Sequence, residues 1–252
     1  MTEIEGRDEQ LGENEAKNSL PQEAGLELAE TVEEKYGAAI DLREKQYDQD
    51  VEHNPKMAAM RGSLDVHNGI VLGYAKDLIA SQNLPPDQKV AATLATVLHD
   101  GGKLASPLLE HHKKGGEYAG KMLDQLSASG QTFEGVTITP EIRQKALEAI
   151  DRHMNHPFLV MINKGERLPE PQDDVDRVVF DADMMANVGF KNVGFRLIGE
   201  KFMADDTKAA AEKGTTILQA SFENVMQGVR QLDRVVLSDT AKQKTGELVT
   251  AA

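Results

Sequence analysis

The sequence contains no cysteine and no tryptophan, and aromatic residues fill only 4% of its 252 positions. Without cysteine there are no disulfides, thiolate nucleophiles or cysteine-ligated zinc, so any metal ligands must be histidines and carboxylates. No apolar run approaches the roughly 20 residues that a membrane-spanning helix needs. The start, MTEIEGRDEQLGENEA, is acidic, whereas a signal peptide begins basic and continues apolar. We therefore expect a cytoplasmic protein without a membrane partner.

Basic residues are also scarce, with 28 Lys and Arg against 42 Asp and Glu and a formal net charge of -14. This charge repels phosphate backbones, and no local cluster of basic residues offsets it. A nucleic-acid polymer is therefore not an expected partner. A small-molecule substrate and a homo-oligomer both stay possible.

Apolar residues recur at helical spacing along most of the chain, and no segment alternates with period two over a convincing length. The pattern predicts an all-α fold with one main domain. We expect a loop at 131–139, and one or two peripheral helices that break near Gly37. The predicted organisation is a disordered acidic tail at 1–20, a helical extension at 21–55, a central helical domain at 56–205, and a C-terminal long helix with a frayed tail at 206–252.

The predicted central helices carry titratable residues in unusual places. Six of the seven histidines lie between positions 67 and 156, and the next helix is interrupted by two aspartates. Any one histidine of this kind is ordinarily a helix cap or a satisfied buried group. Together, however, such groups on apolar helices are costly to bury unless they are paired or bound to a metal. The residues concerned are His67, His99, Asp100, His111, His112, His153, His156, Asp181 and Asp183.

Their order resembles the HD-domain superfamily of metal-dependent phosphohydrolases, whose signature is His, His-Asp and Asp on separate helices. The resemblance covers roughly residues 60–190. LHDGGK at 98–103 is similar to the family's LHDIGK, and VVFDADMMANVG is similar to its stretch around the last aspartate. HHKKGGEYA at 111–119 resembles the His-x-x-x-Gly motif of two-metal members, and AIDRH at 149–153 resembles the context of their further histidine.

The resemblance implies a helical HD-domain bundle with N- and C-terminal extensions, and it implies a ligand set. That set is His67, His99, Asp100 and Asp183 around one divalent ion, with Asp100 bridging to a second ion that is held by His111 and His153. The donors suit Fe, Mn, Zn, Ni, Co or Mg without distinguishing among them.

Some assignments stay open by one residue. His111 matches the spacing to Gly115, but the doubled histidine leaves His112 as an alternative. Asp183 matches the family's Ala-Asp context, with Asp181 as the alternative. His156 is either a substrate contact, a group that orients a ligand, or a plain helix-end residue.

The expected activity is hydrolysis of a phosphate ester of a nucleotide or another small phosphorylated molecule by metal-activated water. Asp100 and Lys103 are the expected catalytic residues, with Lys103 contacting a phosphate oxygen; alternatively, Lys103 only complements the helix dipole. Competing interpretations are a di-iron oxygenase and a non-catalytic regulatory module of the same fold. Residues 158–172 are either a specificity loop or an ordinary surface loop.

Overall fold

The computed structural model describes residues 22–106, 110–155, 168–186, 211–212, 214–216, 219 and 234–251; side chains in the first helix are described from Glu34 onward. These ranges are almost entirely helical, which confirms the all-α prediction. The elements are α1 (Gln22–His53), a 3-10 turn (Pro55–Met57), α2 (Ala58–Gln82), α3 (Pro86–Leu98), α4 (His111–Ala128), β1 (Thr132–Phe133), β2 (Val136–Thr137), α5 (Pro140–Arg152), α6 (Asp174–Ala186) and α7 (Asp239–Ala251).

Helix α3 lies at the centre of the bundle. It packs against α1, α2, α5 and α6, and its last nine residues from Val90 to Leu98 are all buried except Thr93. A helix that is apolar on all sides belongs in the core. Its C-terminal end therefore brings His99 and Asp100 into the interior of the protein.

The boundaries of α5 follow directly from the sequence. Thr139 is the N-cap and its hydroxyl accepts a hydrogen bond from the Ile142 backbone at 3.3 Å, with Pro140 as the first helical residue. This is the start that Thr-Pro-Glu predicts. The helix ends at Arg152, so His153 becomes its C-cap.

Helix α1 differs from the prediction of one or two peripheral helices. It continues through Gly37 without a break, and a Cβ at that position would meet nothing within 4 Å. Its buried residues include Tyr36, Ala39, Arg43 and Tyr47, which are spaced three or four apart and form one face. Tyr36 and Ala39 belong to the main core, so this face packs inside the bundle.

The segment 131–139, predicted as a loop, contains a short antiparallel hairpin of β1 and β2. Glu134 and Gly135 form its two-residue turn with φ values of 51° and 81°, as a type I′ turn requires. Two-residue strands are too short to show period-two alternation. Phe133 is buried and stacks on Tyr36 with ring centroids 5.0 Å apart, which holds the hairpin to α1.

The predicted frayed tail is also wrong in part, because residues 239–251 form α7. Ala241 and Thr245, four residues apart, are fully buried on its inner side, and Lys244 pairs with Asp77 of α2 at 2.6 Å. The acidic tail at 1–20, most of the predicted helix at 207–238 and most of the loop at 158–172 lie outside the described residues. None of the helices within the described ranges has the length and apolarity to cross a bilayer.

Candidate metal centre

Five helices or helix ends deliver six ionisable side chains to one place in the core. Each of the six is at most 7% exposed. They form two groups, and within each group one donor atom per residue lies within 4.8 Å of the others. The first group is His67, His99 and Asp183; the second is Asp100, His111 and His153.

In the first group, the imidazole nitrogens point at two carboxylates. His67 Nε2 lies 3.0 Å from Asp183 Oδ1 and 3.5 Å from Asp100 Oδ2. His99 Nε2 lies 3.6 Å from Asp100 Oδ2 and 3.8 Å from Asp183 Oδ1. Two nitrogens and two oxygens from three helices thus converge on a common point.

Asp100 also faces the second group. Its Oδ1 lies 3.4 Å from His111 Nε2, and His111 Nε2 lies 3.3 Å from His153 Nε2. Oδ2 of the same carboxylate faces His67 and His99. Asp100 therefore stands between the two groups with one oxygen toward each.

Backbone carbonyls set the orientation of two of the rings. His99 Nδ1 lies 2.7 Å from the Thr96 carbonyl oxygen, and His153 Nδ1 lies 2.5 Å from the Ile150 carbonyl oxygen. A carbonyl only accepts, so each Nδ1 carries the hydrogen and a neutral ring turns its Nε2 lone pair inward. Metal-binding histidines commonly have their other nitrogen held in this way.

Burial favours the neutral form of both rings. It lowers the pKa of His99, and together with the neighbouring His99 and His111 it lowers the pKa of His153 to about 3. Neutral imidazole is the metal-binding form. These two side chains are thus in the required state at neutral pH.

The two carboxylates are held in their ionised form. Burial alone would raise the pKa of Asp100, but the Lys103 ammonium, His99 and His111 bring it well below its usual value. The pKa of Asp183 is lowered too, because a hydrogen bond from His67 and the charges around it outweigh its burial. Ionised carboxylates beside neutral imidazoles are a ligand set for a divalent cation.

Two inward atoms have no hydrogen-bond partner of good geometry among the described residues. They are His99 Nε2 and Asp100 Oδ1, and both are fully buried. A buried polar atom without a partner costs about 1–3 kcal/mol. Both atoms belong to residues of the two groups, so the side chains present fit a divalent metal site.

Lys103 approaches the centre from its side. Its ammonium donates to Asp100 Oδ2 at 2.7 Å, while the side chain keeps 18% of its surface exposed. Burial opposes the charge, but Asp100 and Asp183 outweigh it and raise the pKa of Lys103. The centre therefore carries a fixed cation at its margin.

Two glycines allow the His99-Asp100 turn to touch α4. A Cβ on Gly102 would lie 2.4 Å from the backbone nitrogen of Gly115, and a Cβ on Gly115 would lie 2.9 Å from the His99 carbonyl oxygen. Only glycine permits backbones to come this close. The contact places Asp100 beside His111 in the first turn of α4. It also explains why position 102 of Gly101-Gly102 and position 115 of Gly115-Gly116 are glycine.

The residues named as alternatives have other environments. Asp181 faces the C-terminal segment, where its carboxylate accepts the backbone N–H groups of Leu237 and Ser238 at 2.7 and 2.9 Å. His112 is buried, but its Nε2 lies 4.0 Å from Asp151 and it belongs to neither group. His156 lies outside the described residues.

Sequence reasoning missed Arg43. Its guanidinium is buried and donates through Nη1 to the Val97 carbonyl oxygen at 3.0 Å, in the last turn of α3. A cation at this position satisfies a free carbonyl and complements the helix dipole. It steadies the turn that carries His99 and Asp100. A contact between residues 54 positions apart leaves no local signal in the sequence.

No protein-family model matches this chain, and comparisons with curated proteins and with solved structures likewise find no significant match.

Proposed function

We propose that the chain is a metal-dependent phosphohydrolase of the HD-domain type, with two divalent ions held in the core. The observation that carries the proposal is the position of Asp100, one oxygen of which faces His67 and His99 while the other faces His111. A carboxylate between two histidine groups is suited to bridge a pair of ions. The order of these residues in the sequence, which resembles the HD-domain superfamily, supports the same conclusion.

The ligands divide into two sets that share one residue. His67, His99 and Asp183 would hold one ion, His111 and His153 would hold the other, and Asp100 would contact both. When bound, such ions lower the pKa of a coordinated water toward about 7 and offset negative charge on phosphoryl oxygens. The backbone carbonyls of Thr96 and Ile150 keep two of the ligand rings in the productive orientation.

Lys103 favours phosphate chemistry over the oxygenase alternative. A partly exposed ammonium beside Asp100 adds a positive charge at the margin of the centre. Anionic phosphate oxygens benefit from such a point charge, whereas oxygenation of a neutral substrate does not require one. The hydrogen bond to Asp100 holds the Lys103 ammonium in place, and the other N–H groups of the ammonium can donate to a substrate.

The substrate proposed is a small phosphate ester. The net charge of -14 disfavours polyanions, since long-range repulsion acts on every phosphate of a nucleic-acid chain. A single phosphate group is attracted by local charges at the centre instead. Nucleotides and phosphorylated metabolites are the compounds to test.

The experiment is a phosphate-release assay on protein loaded separately with Mn²⁺, Fe²⁺, Zn²⁺ or Co²⁺, with nucleoside monophosphates, sugar phosphates and an aryl phosphate as substrates. We expect phosphate release that a chelator abolishes and metal restores. Asp181→Asn is the matched control and should retain activity, whereas Asp100→Asn should lose it. Dioxygen consumption by the iron form without phosphate release would favour the oxygenase. Stoichiometric metal without either reaction would favour the regulatory module.

A further inference from the structure

A cavity lies between α1, α2, α3 and the turn of the hairpin. Its volume is about 220 Å³. Its lining on α2 begins at Leu72, five residues from His67, which corresponds to about 7.5 Å along the helix axis. No residue of the metal centre lines it, so the cavity is separate from that site.

The cavity concentrates positive charge in a chain that is otherwise acidic. Lys35, Lys76 and Lys89 line it from three different helices, and Glu134 is the one carboxylate in its lining. That carboxylate pairs with Lys35 at 3.3 Å. Lys76 and Lys89 form no ion pair with any described residue, so no described carboxylate pairs with these two lining lysines.

A buried hydroxyl completes the polar side of the cavity. Tyr36 is 2% exposed, and its hydroxyl has no hydrogen-bond partner of good geometry among the described residues. The neighbouring Thr93 hydroxyl donates its hydrogen to the Lys89 carbonyl oxygen at 2.9 Å, so toward Tyr36 it acts only as an acceptor. Burial raises the pKa of Tyr36, which keeps its hydroxyl protonated and able to donate. The ring stacks on Phe133, so the hydroxyl cannot readily turn away.

Apolar side chains of α2 line the same cavity beside Lys76. Leu72, Ala75 and Ile79 lie on one face of α2, spaced three or four residues apart. Ligand pockets typically combine such apolar walls with a few polar groups that fix orientation. Because drug-sized pockets occupy roughly 300–1,000 Å³, this smaller cavity suits a compact ligand.

We propose that this cavity is an accessory binding site for a small organic anion, with a short apolar body against α2 and one phosphate or carboxylate group between Lys76, Lys89 and the Tyr36 hydroxyl. The anion supplies a counter-charge for the lysines and a well-placed acceptor for the Tyr36 hydroxyl. The site does not depend on the metal centre or on the proposed hydrolase activity.

The test is isothermal titration of the full chain with butyl phosphate, hexanoate and inorganic phosphate, repeated in the presence of a chelator so that the metal centre does not contribute. We expect butyl phosphate or hexanoate to bind with a Kd of about 1 mM or tighter, and inorganic phosphate to bind more weakly because it lacks the apolar body. Whichever organic probe binds identifies the preferred anionic group.

Three variants assign the binding to this cavity. Lys76→Gln combined with Lys89→Gln should weaken it by about tenfold or more, because two charge-assisted contacts are lost. Tyr36→Phe should weaken binding with little change in thermal stability, since its hydroxyl has no hydrogen-bond partner of good geometry among the described residues. Lys45→Gln, an exposed lysine elsewhere on α1, is the matched control and should bind as the wild type does. Equal binding by all variants, or no binding of any probe by the wild type, would overturn the proposal.

Discussion

Two buried carboxylates on α6 lie two residues apart and have opposite environments. Asp183 faces His67 and His99 in the core, with an Asp183 Oδ1 to His67 Nε2 distance of 3.0 Å. Asp181 faces the C-terminal segment and accepts two backbone N–H groups just before α7. The candidate metal centre and this C-terminal anchor thus use the same residue type on the same helix.

The partners of the two carboxylates separate their roles. Two backbone N–H donors bind both oxygens of Asp181, and Ser238 then caps α7 by accepting from the Ala241 backbone at 3.2 Å. The carboxylates of the candidate metal centre instead lie opposite imidazole nitrogens, and the inward Nε2 of His99 has no hydrogen-bond partner of good geometry among the described residues. A ring nitrogen with a free lone pair opposite a carboxylate needs a cation between them, whereas a backbone N–H opposite a carboxylate does not. Burial of an aspartate therefore does not by itself indicate a metal site. The groups that surround its carboxylate do.

The largest effect should come from Asp100→Asn, which keeps the shape of the side chain but removes the charge that faces both groups. We expect phosphate release to fall about 1,000-fold or more, since several kcal/mol of charge stabilisation are lost and each 1.4 kcal/mol is tenfold. Steady-state assays at saturating metal measure it. Asp181→Asn makes the same substitution two residues from Asp183, at a carboxylate that faces the C-terminal segment, and should keep nearly full activity. Equal losses in both variants would remove the distinction between the two regions.

A double variant, His111→Ala with His153→Ala, should remove one of the two ions and leave the other. The first group keeps His67, His99 and Asp183, while the second retains only Asp100. Metal per chain, measured by plasma mass spectrometry, should therefore fall by about half. A matched double variant, His53→Ala with His112→Ala, removes two histidines that belong to neither group and should leave the metal content unchanged. Equal metal content in the two double variants would indicate a single ion.

Gly102→Ala tests the backbone contact that joins the His99-Asp100 turn to α4. Its Cβ would meet backbone atoms at 2.4–2.8 Å, so the turn or the helix must move. Overpacking of this kind costs about 1–3 kcal/mol, and we expect weaker metal binding as well. Chemical denaturation and metal titration measure the two effects. Gly116→Ala is the control, because a Cβ there meets nothing within 4 Å and alanine favours the helix by up to about 1 kcal/mol. A stable Gly102→Ala protein with normal metal affinity would contradict the contact.

The smallest effect on activity should come from Asp181→Ala, which acts on stability instead. It leaves the Leu237 and Ser238 N–H groups without their acceptor, and each such loss costs about 1–3 kcal/mol where the group stays buried. We expect a lower unfolding midpoint with an unchanged metal content. Loss of metal in this variant would mean that the C-terminal anchor and the metal centre are one unit.

Local patterns predicted the parts of the fold that local forces determine. The cap and proline at Thr139-Pro140 marked the start of α5, and the glycines at 101–102 marked the end of α3. The order of histidines and aspartates also predicted which six side chains would come together, and the structure groups all six. Their binding of metal stays a prediction.

Long-range packing supplied what the sequence did not reveal. The reach of Arg43 to Val97 and the contact of Gly102 with Gly115 depend on how helices pack, not on a motif. Gly37 was wrongly taken as a break because propensity is a weak signal that packing of Tyr36 and Ala39 overrides. Asp181 and Asp183 could be told apart only by the family context, since both positions are buried.

We propose a two-ion centre with Asp100 between the ions, and the metal content of purified protein tests it without any assumption about the substrate. Plasma mass spectrometry of the wild type, after reconstitution and removal of loose metal, should give about two divalent ions per chain. Asp100→Asn, checked for intact helical content by circular dichroism, should lose most of that metal. A wild type that retains no stoichiometric metal, or an Asp100→Asn protein that retains both ions, would contradict the account.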